Sequence, residues 1–185
     1  MKNEPLAAPS FARRASHAFE VRPSSSSIMA TIELSTEIEA PPQRCFDLSR
    51  SIDLHVQSTA STGETAVAGV TSGLIGLGEE VTWRAKHFGI WQHLTSKIVA
   101  LDSPRYFRDQ MTKGAFKRFV HDHYFLPRGE QTVMKDVLVF EAPLGPFGRV
   151  ADRVILTGYL KRFLLERNAL IKRTAETQAW RDFVE

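Results

Sequence analysis

Residues 105–141 read RYFRDQMTKGAFKRFVHDHYFLPRGEQTVMKDVLVFE. This stretch holds three β-strand patterns, Arg105–Thr112, Ala115–Leu126 and Thr132–Glu141. The links between them, Lys113-Gly114 and Arg128-Gly129, carry turn chemistry. Connections this short cannot cross over to make parallel pairs, so the segment reads as an antiparallel meander. The same reading extends backwards through Trp91–Leu101, Glu79–Phe88 and Glu64–Ser72, joined at Ser103-Pro104, Gly89 and Gly73–Gly78. One further strand, Thr31–Glu39, stands apart. Ile32, Leu34, Thr36 and Ile38 alternate there with Glu33, Ser35, Glu37 and Glu39. Ala40-Pro41-Pro42 stops that strand, and Pro42 suits the first turn of a helix carrying Cys45, Phe46 and Leu48. A second short helix or turn covers Ile52–Val56.

Downstream, Pro143, Gly145 and Pro146 close the last strand and the period changes. From about Phe147 to Trp180 the apolar residues Leu156, Leu160, Phe163, Leu164, Leu170, Ile171 and Ala175 fall at helical spacing. Arg153, Lys161, Arg162, Glu166, Lys172 and Arg173 take the other side. The expected fold class is therefore α+β: a curved antiparallel sheet of about seven strands and one long C-terminal helix, with two short helices after the first strand. Such a sheet and helix can enclose a pocket.

The chain has 185 residues with 24 Lys and Arg against 21 Asp and Glu. That length suits one domain, expected over residues 29–185. Residues 1–28 carry prolines, the run Ser24–Ser27 and no periodic apolar pattern, which reads as a disordered extension. Glu4 and Glu20 argue against a targeting peptide, no secretory apolar core is present, and Met29 is a natural start. Lys2, Arg13, Arg14 and Arg22 concentrate the positive charge in this tail. The nearly neutral remainder gives no support for nucleic-acid binding. No apolar stretch is long enough to span a membrane. The lone Cys45 excludes an internal disulfide, reads as a buried structural thiol and fits a cytoplasmic setting. Composition allows a homo-oligomer.

Several motifs resemble the SRPBCC superfamily (the START and Bet v 1-like group): Gly73-Leu74-Ile75-Gly76-Leu77-Gly78-Glu79, Val81-Thr82-Trp83, Phe107-Arg108-Asp109-Gln110-Met111, Gly114-Ala115-Phe116, His121-Asp122-His123-Tyr124-Phe125 and Leu165-Glu166-Arg167-Asn168. They are similar to a cyclase/dehydrase-like bacterial branch, and the resemblance covers about Thr31–Thr177. It implies the helix-grip fold, the sheet wrapped on the C-terminal helix, with a deep cavity between them for a small hydrophobic ligand such as a lipid, quinone or polyketide. In that superfamily some members are cyclases and others are carriers.

Strand alternation selects the residues that would face such a cavity. One face of the Glu79 strand has Val81, Trp83, Ala85 and His87. In the Arg105 strand it has Phe107, Asp109 and Met111, and in the longest strand Phe119, His121, His123 and Phe125. The last strand offers Met134, Asp136, Leu138 and Phe140, or else Val133, Val137 and Val139. The expected ligand-binding set is Trp83, His87, Phe107, Asp109, Met111, Phe119, His121, His123, Phe125, Asp136, Leu160 and Phe163. An inward Asp requires a partner, and a His supplies one. Three readings of the polar group follow, in order of preference. It is a satisfied network that orients a ligand, an acid–base site built on His121, His123 and Asp109, or a metal site on His121 and His123 with His87 or Asp109. On the sequence no cofactor and no metal is assigned. Arg167 falls near the apolar helix face, where it either meets an inward carboxylate, Asp109 or Asp136, or snorkels to water. The Gly73–Gly78 loop joins two strands, which excludes a phosphate-binding helix start, and reads as a flexible loop at the cavity mouth.

Overall fold

The computed structural model describes residues 29–142 and 149–184, with the side chains of 149–153 left aside. The proposed extension 1–28 and residues 143–148, among them the expected strand stop at Pro143, Gly145 and Pro146 and the expected helix start at Phe147, lie outside the described residues. The elements run β1 (Ala30–Ile38), α1 (Pro42–Arg50), α2 (Ile52–Ser58), β2 (Thr65–Gly69), β3 (Glu80–His87), β4 (Ile90–Asp102), β5 (Tyr106–Lys113), β6 (Arg118–Arg128), β7 (Gln131–Glu141) and α3 (Arg149–Ala175). A short 3-10 turn and a last helical turn, α4 (Arg181–Val184), follow. The seven strands form one antiparallel sheet in the order β1-β7-β6-β5-β4-β3-β2. The meander runs from β2 to β7, and β1 pairs with β7 at the far edge. This is the helix-grip α+β architecture that the alternation and the closing helix predict.

Several boundaries differ from expectation, each for a local reason. The predicted Glu64–Ser72 strand shortens to β2 because Gly69 has φ +74 and lies where a Cβ would meet the Glu80 carbonyl oxygen at 2.1 Å. Only glycine fits that approach. Strand β6 starts at Arg118 instead of Ala115. Helix α3 ends at Ala175 instead of Trp180. The Thr177 hydroxyl accepts from the Ala179 N–H and starts a separate turn. The glycine loop of 73–78 is tied down: Gly73 N–H donates to Asp53 at 2.8 Å, Ile75 N–H to the Arg50 carbonyl at 3.2 Å and Gly78 N–H to the Ile98 carbonyl at 2.9 Å.

Two apolar clusters hold the sheet to the helices. One joins α1 and α2 to the C-terminal half of α3 and to β3, β5, β6 and β7, through Phe46, Leu48, Leu54, Phe107, Phe125, Met134 and Ile171. The other joins β1 and β7 to α3 through Ala30, Ile32, Leu138, Phe140 and Leu164. The alternating burial along β7 settles its register: Thr132, Met134, Asp136, Leu138 and Phe140 point inward. Cys45 is fully buried, its thiol near the Ala40 carbonyl, and burial pushes its pKa up, away from the thiolate.

Candidate functional site

A cavity of about 360 Å³ lies between the concave sheet and α3 and draws its wall from both apolar clusters. Ile75, Val81, Ile98, Phe107, Leu138 and Leu164 supply apolar wall. Of the sequence-selected residues, Trp83, His87, Phe107, Asp109, Phe119, His121, His123, Leu160 and Phe163 are on that wall. Met111, Phe125 and Asp136 are not, and the expectation for these three is corrected. Met111 is half-buried at the end of β5, its thioether lying over the backbone of Gly114. Phe125 points inward but α1 covers that end of the sheet, so its ring packs edge-on against Phe46 at 5.5 Å. Asp136 is fully buried beneath two histidines that separate it from the cavity.

The polar patch is built by strand register. His121 and His123 stand two residues apart on β6, so both point inward, and β5 places Asp109 opposite His121. The intervening Asp122 points to the outer face. There Arg108 grips it with two hydrogen bonds, at 2.7 and 2.9 Å, and the Tyr106 hydroxyl donates a third at 2.6 Å. Inside, the His123 Nε2 and Asp109 Oδ2 are hydrogen-bonded at 3.0 Å, and the Ser96 hydroxyl donates to Asp109 Oδ1 at 3.0 Å. His121 Nδ1 lies 3.9 Å from Asp109 Oδ2, too long for a hydrogen bond. On the far side, His121 Nε2 and His123 Nδ1 both sit 3.0 Å from Asp136 Oδ1. Those three buried atoms are close enough to interact as charges but are off hydrogen-bonding directions. Asn168 Nδ2 donates to Asp136 Oδ2 at 2.6 Å, and Arg167 Nη1 stands 3.7 Å from Oδ1 while its other nitrogen donates to the Ser49 carbonyl. Arg167 therefore meets Asp136, one of the two carboxylates its helical position predicts.

Burial and charge set opposite protonation for the two imidazoles. Burial lowers His121, and the neighbouring His123 charge lowers it further. Burial opposes charge on His123 as well, but its contacts with Asp109 and Asp136 outweigh this and raise its pKa. Burial pushes Asp109 up, yet the His123 hydrogen bond and the histidine charges take it down to about 2. Burial likewise pushes Asp136 up, and contacts with both histidines hold it well below the usual carboxylate range. Asp109 and Asp136 are thus held as carboxylates, His123 is biased toward its charged form and His121 toward its neutral form. Two carboxylates set against His123 and Arg167 pair opposite charges, which is the condition for keeping them in an apolar interior.

The Asp109 shift has a definite sign. A carboxyl whose folded pKa is depressed stabilises the fold above its unfolded value, and that contribution disappears as pH falls through the folded value. The contribution of Asp109 is therefore complete above about pH 4 and lost toward about pH 2. It is expected to amount to about 2 kcal/mol. Urea unfolding of the wild type and Asp109→Asn at pH 5, 4, 3 and 2.5 checks this. The wild-type curve should fall more steeply below pH 4, and parallel curves would count against it.

A second polar group, missed by alternation, lines another part of the cavity. His55 of α2 contacts Glu64 at 2.6 Å and stacks on Trp83 at 4.2 Å between ring centres. Tyr159 of α3 is bonded to His87 Nδ1 at 2.7 Å, so His87 serves that pair and not the His121 group. Ser96 could have been found, as the polar member of the inward row Leu94, Ser96, Ile98. His55, Glu64 and Tyr159 had no such signal, because their convergence depends on how the helices dock.

No protein-family model matches the chain, and no curated protein matches it in sequence. Solved structures match its fold. The ZhuI aromatase/cyclase from Streptomyces sp. R1128 aligns at 16% identity with a TM-score of 0.63, over 80% of this chain and 94% of that one. The major latex-like protein 151 from Panax ginseng aligns at 19% identity and a TM-score of 0.58, over 80% and 99%. A START superfamily protein from Mycobacterium smegmatis aligns at 12% identity and a TM-score of 0.56, over 74% and 92%. The chain has the helix-grip fold shared by these aromatase/cyclase, major latex-like and START superfamily structures. Among the described residues no helix is long and apolar enough to cross a membrane.

Proposed function

We propose that the protein binds and carries a small hydrophobic ligand in this cavity, of the lipid, quinone or polyketide-like kind, with a polar end of the ligand set against Asp109, His121 and His123. The observation that carries this reading is the cavity itself: about 360 Å³, mostly apolar, with a few polar groups gathered on its wall, Asp109, His121 and His123 among them. Pockets of roughly 300–1,000 Å³ with few convergent polar groups are the usual form of a small-molecule site. The START and latex-like neighbours support it at the level of fold.

Native mass spectrometry of tag-free protein, followed by extraction, is the direct test, and a retained apolar molecule of defined mass is the expected result. Anilinonaphthalene sulfonate gives a second readout that needs no retained molecule. Binding should saturate at one equivalent in the wild type. It should weaken at least tenfold in Ala85→Trp, because Ala85 is on the wall and an indole there fills the space. Unchanged dye binding in that variant would reject the cavity as the site.

The second reading is acid–base chemistry on the bound molecule, and the opposite pKa directions of His121 and His123 favour it. A neutral imidazole beside a charged one offers a base and an acid within one patch. The base would take a proton from carbon next to a ligand carbonyl, and the aromatase/cyclase neighbour supports such a role by fold. Deuterium exchange into 2-tetralone, followed by NMR, reads this step. His121→Ala should reduce enzyme-dependent exchange about 100-fold or more. Equal exchange in the wild type, His121→Ala and His123→Ala would remove both histidines from the chemistry.

A further inference from the structure

We propose that Asp109, His121 and His123 form a binding site for a first-row divalent metal ion of the zinc type, open toward the ligand cavity. The sequence alone assigned no metal, and this site revises that expectation. It does not rest on the carrier reading, because it is argued from the cluster and tested with metal alone.

One donor atom from each of the three residues lies within 4.8 Å of the others. Asp109 Oδ2 is 3.0 Å from His123 Nε2 and 3.9 Å from His121 Nδ1. With metal–ligand bonds of about 2.0–2.2 Å, donors in one shell stand about 3–3.5 Å apart. The site therefore reaches binding geometry by small side-chain rotations, with no change in the strands that carry it. All three residues are on the cavity wall, so the remaining coordination positions face the space where a ligand or water would sit.

The surroundings match what a metal site needs behind its ligands. A metal-binding imidazole normally presents its other nitrogen to a carboxylate that fixes tautomer and ring orientation. Here one atom, Asp136 Oδ1, stands 3.0 Å from the remaining nitrogen of both histidines, His121 Nε2 and His123 Nδ1. All three atoms are buried and lack a hydrogen bond of good geometry. A buried carboxylate facing two imidazoles without bonding either well is poorly explained as a self-sufficient network. A metal drawing the two rings toward the cavity would set their N–H groups on Asp136. Asn168 and Arg167 hold Asp136 from behind. The Ser96 hydroxyl occupies Asp109 Oδ1 and leaves Oδ2 to the cavity side. Two imidazoles and one carboxylate select zinc, iron, cobalt or nickel over calcium and magnesium, which prefer all-oxygen shells.

The test uses tag-free full-length protein, stripped with EDTA and dialysed. Co²⁺ titration followed by visible absorption should show a ligand-field band saturating at one equivalent, displaced by Zn²⁺. Calorimetry with Zn²⁺ should give a dissociation constant of about 1 μM or tighter. Asp109→Ala and His121→Ala should weaken it at least 100-fold, and Asp136→Asn by about 10–100-fold. Equal Zn²⁺ affinity in the His121→Ala/His123→Ala double variant would overturn the site, as would no saturation below 1 mM in the wild type. Imidazole ¹⁵N spectra of the wild type need no variant to fold. On adding Zn²⁺ they should show metal at His121 Nδ1 and His123 Nε2, and unchanged signals from both rings would also overturn it.

Discussion

Alanine at Asp136 is expected to lower the folding free energy by about 3–5 kcal/mol, the range for stripping one partner from a buried ionic group. The carboxylate has no solvent exposure. It faces His121, His123, Arg167 and Asn168 at once and so ties three elements together: β7 supplies the acid, β6 the imidazoles and α3 the guanidinium and amide. Its removal leaves the Arg167 charge against a charged His123 with one carboxylate fewer between them. His123 can escape by losing its proton, but Arg167 cannot. Leucine at 136 should be no remedy, because an apolar replacement helps only when the whole ionic group is exchanged. Asp136→Asn keeps the shape and an acceptor, and is expected to cost less than alanine. Urea unfolding at pH 7 decides it. A loss under about 1 kcal/mol for Asp136→Ala would show that the acid does not anchor the network.

Phe46→Ala is expected to cost a similar 3–5 kcal/mol, this time through a cavity in the core. For a domain of this size the melting temperature should drop by about 10 °C. The ring is fully buried on α1 and packs edge-on against Phe107 at 5.8 Å and Phe125 at 5.5 Å. The Arg50 guanidinium lies 4.7 Å above it. Phe107 in turn stacks on His123 at 4.1 Å, so Phe46 also braces the polar patch from outside the cavity. The variant should therefore melt early and also show broadened His123 imidazole signals. A drop under about 3 °C would mean that α1 and the sheet end close over the space.

Much of the fold was legible because it is written in local periods. Seven alternating segments, the short turns and the change to helical spacing specify a meander closed by a helix, and the structure has those elements in that order. The row of His121, His123 and Asp109 was legible for the same reason: period two fixes the face of each residue. What alternation could not supply was depth. Phe125 and Asp136 point inward as their parity requires, yet α1 covers the first and the histidines cover the second. Met111 has the right parity too and pairs with Ser96, which is on the wall, but its thioether lies over Gly114. Ambiguity in β7, where both faces are rich in apolar residues, yielded only to the observed burial of Met134, Asp136, Leu138 and Phe140.

The sequence by itself determined which residue types alternate, where strands give way to helices, and that two histidines and a carboxylate share one side of the sheet. Those properties depend on neighbours a few positions away, and backbone geometry fixes them. Only the tertiary structure decided that Asp136 bridges both imidazoles and that Arg167 and Asn168 close the group from α3. The pairing of His55 with Glu64 against Trp83 was decided there too. These contacts join residues from 9 to 32 positions apart, and they form where the strands pair and the helices dock to bring buried polar groups together.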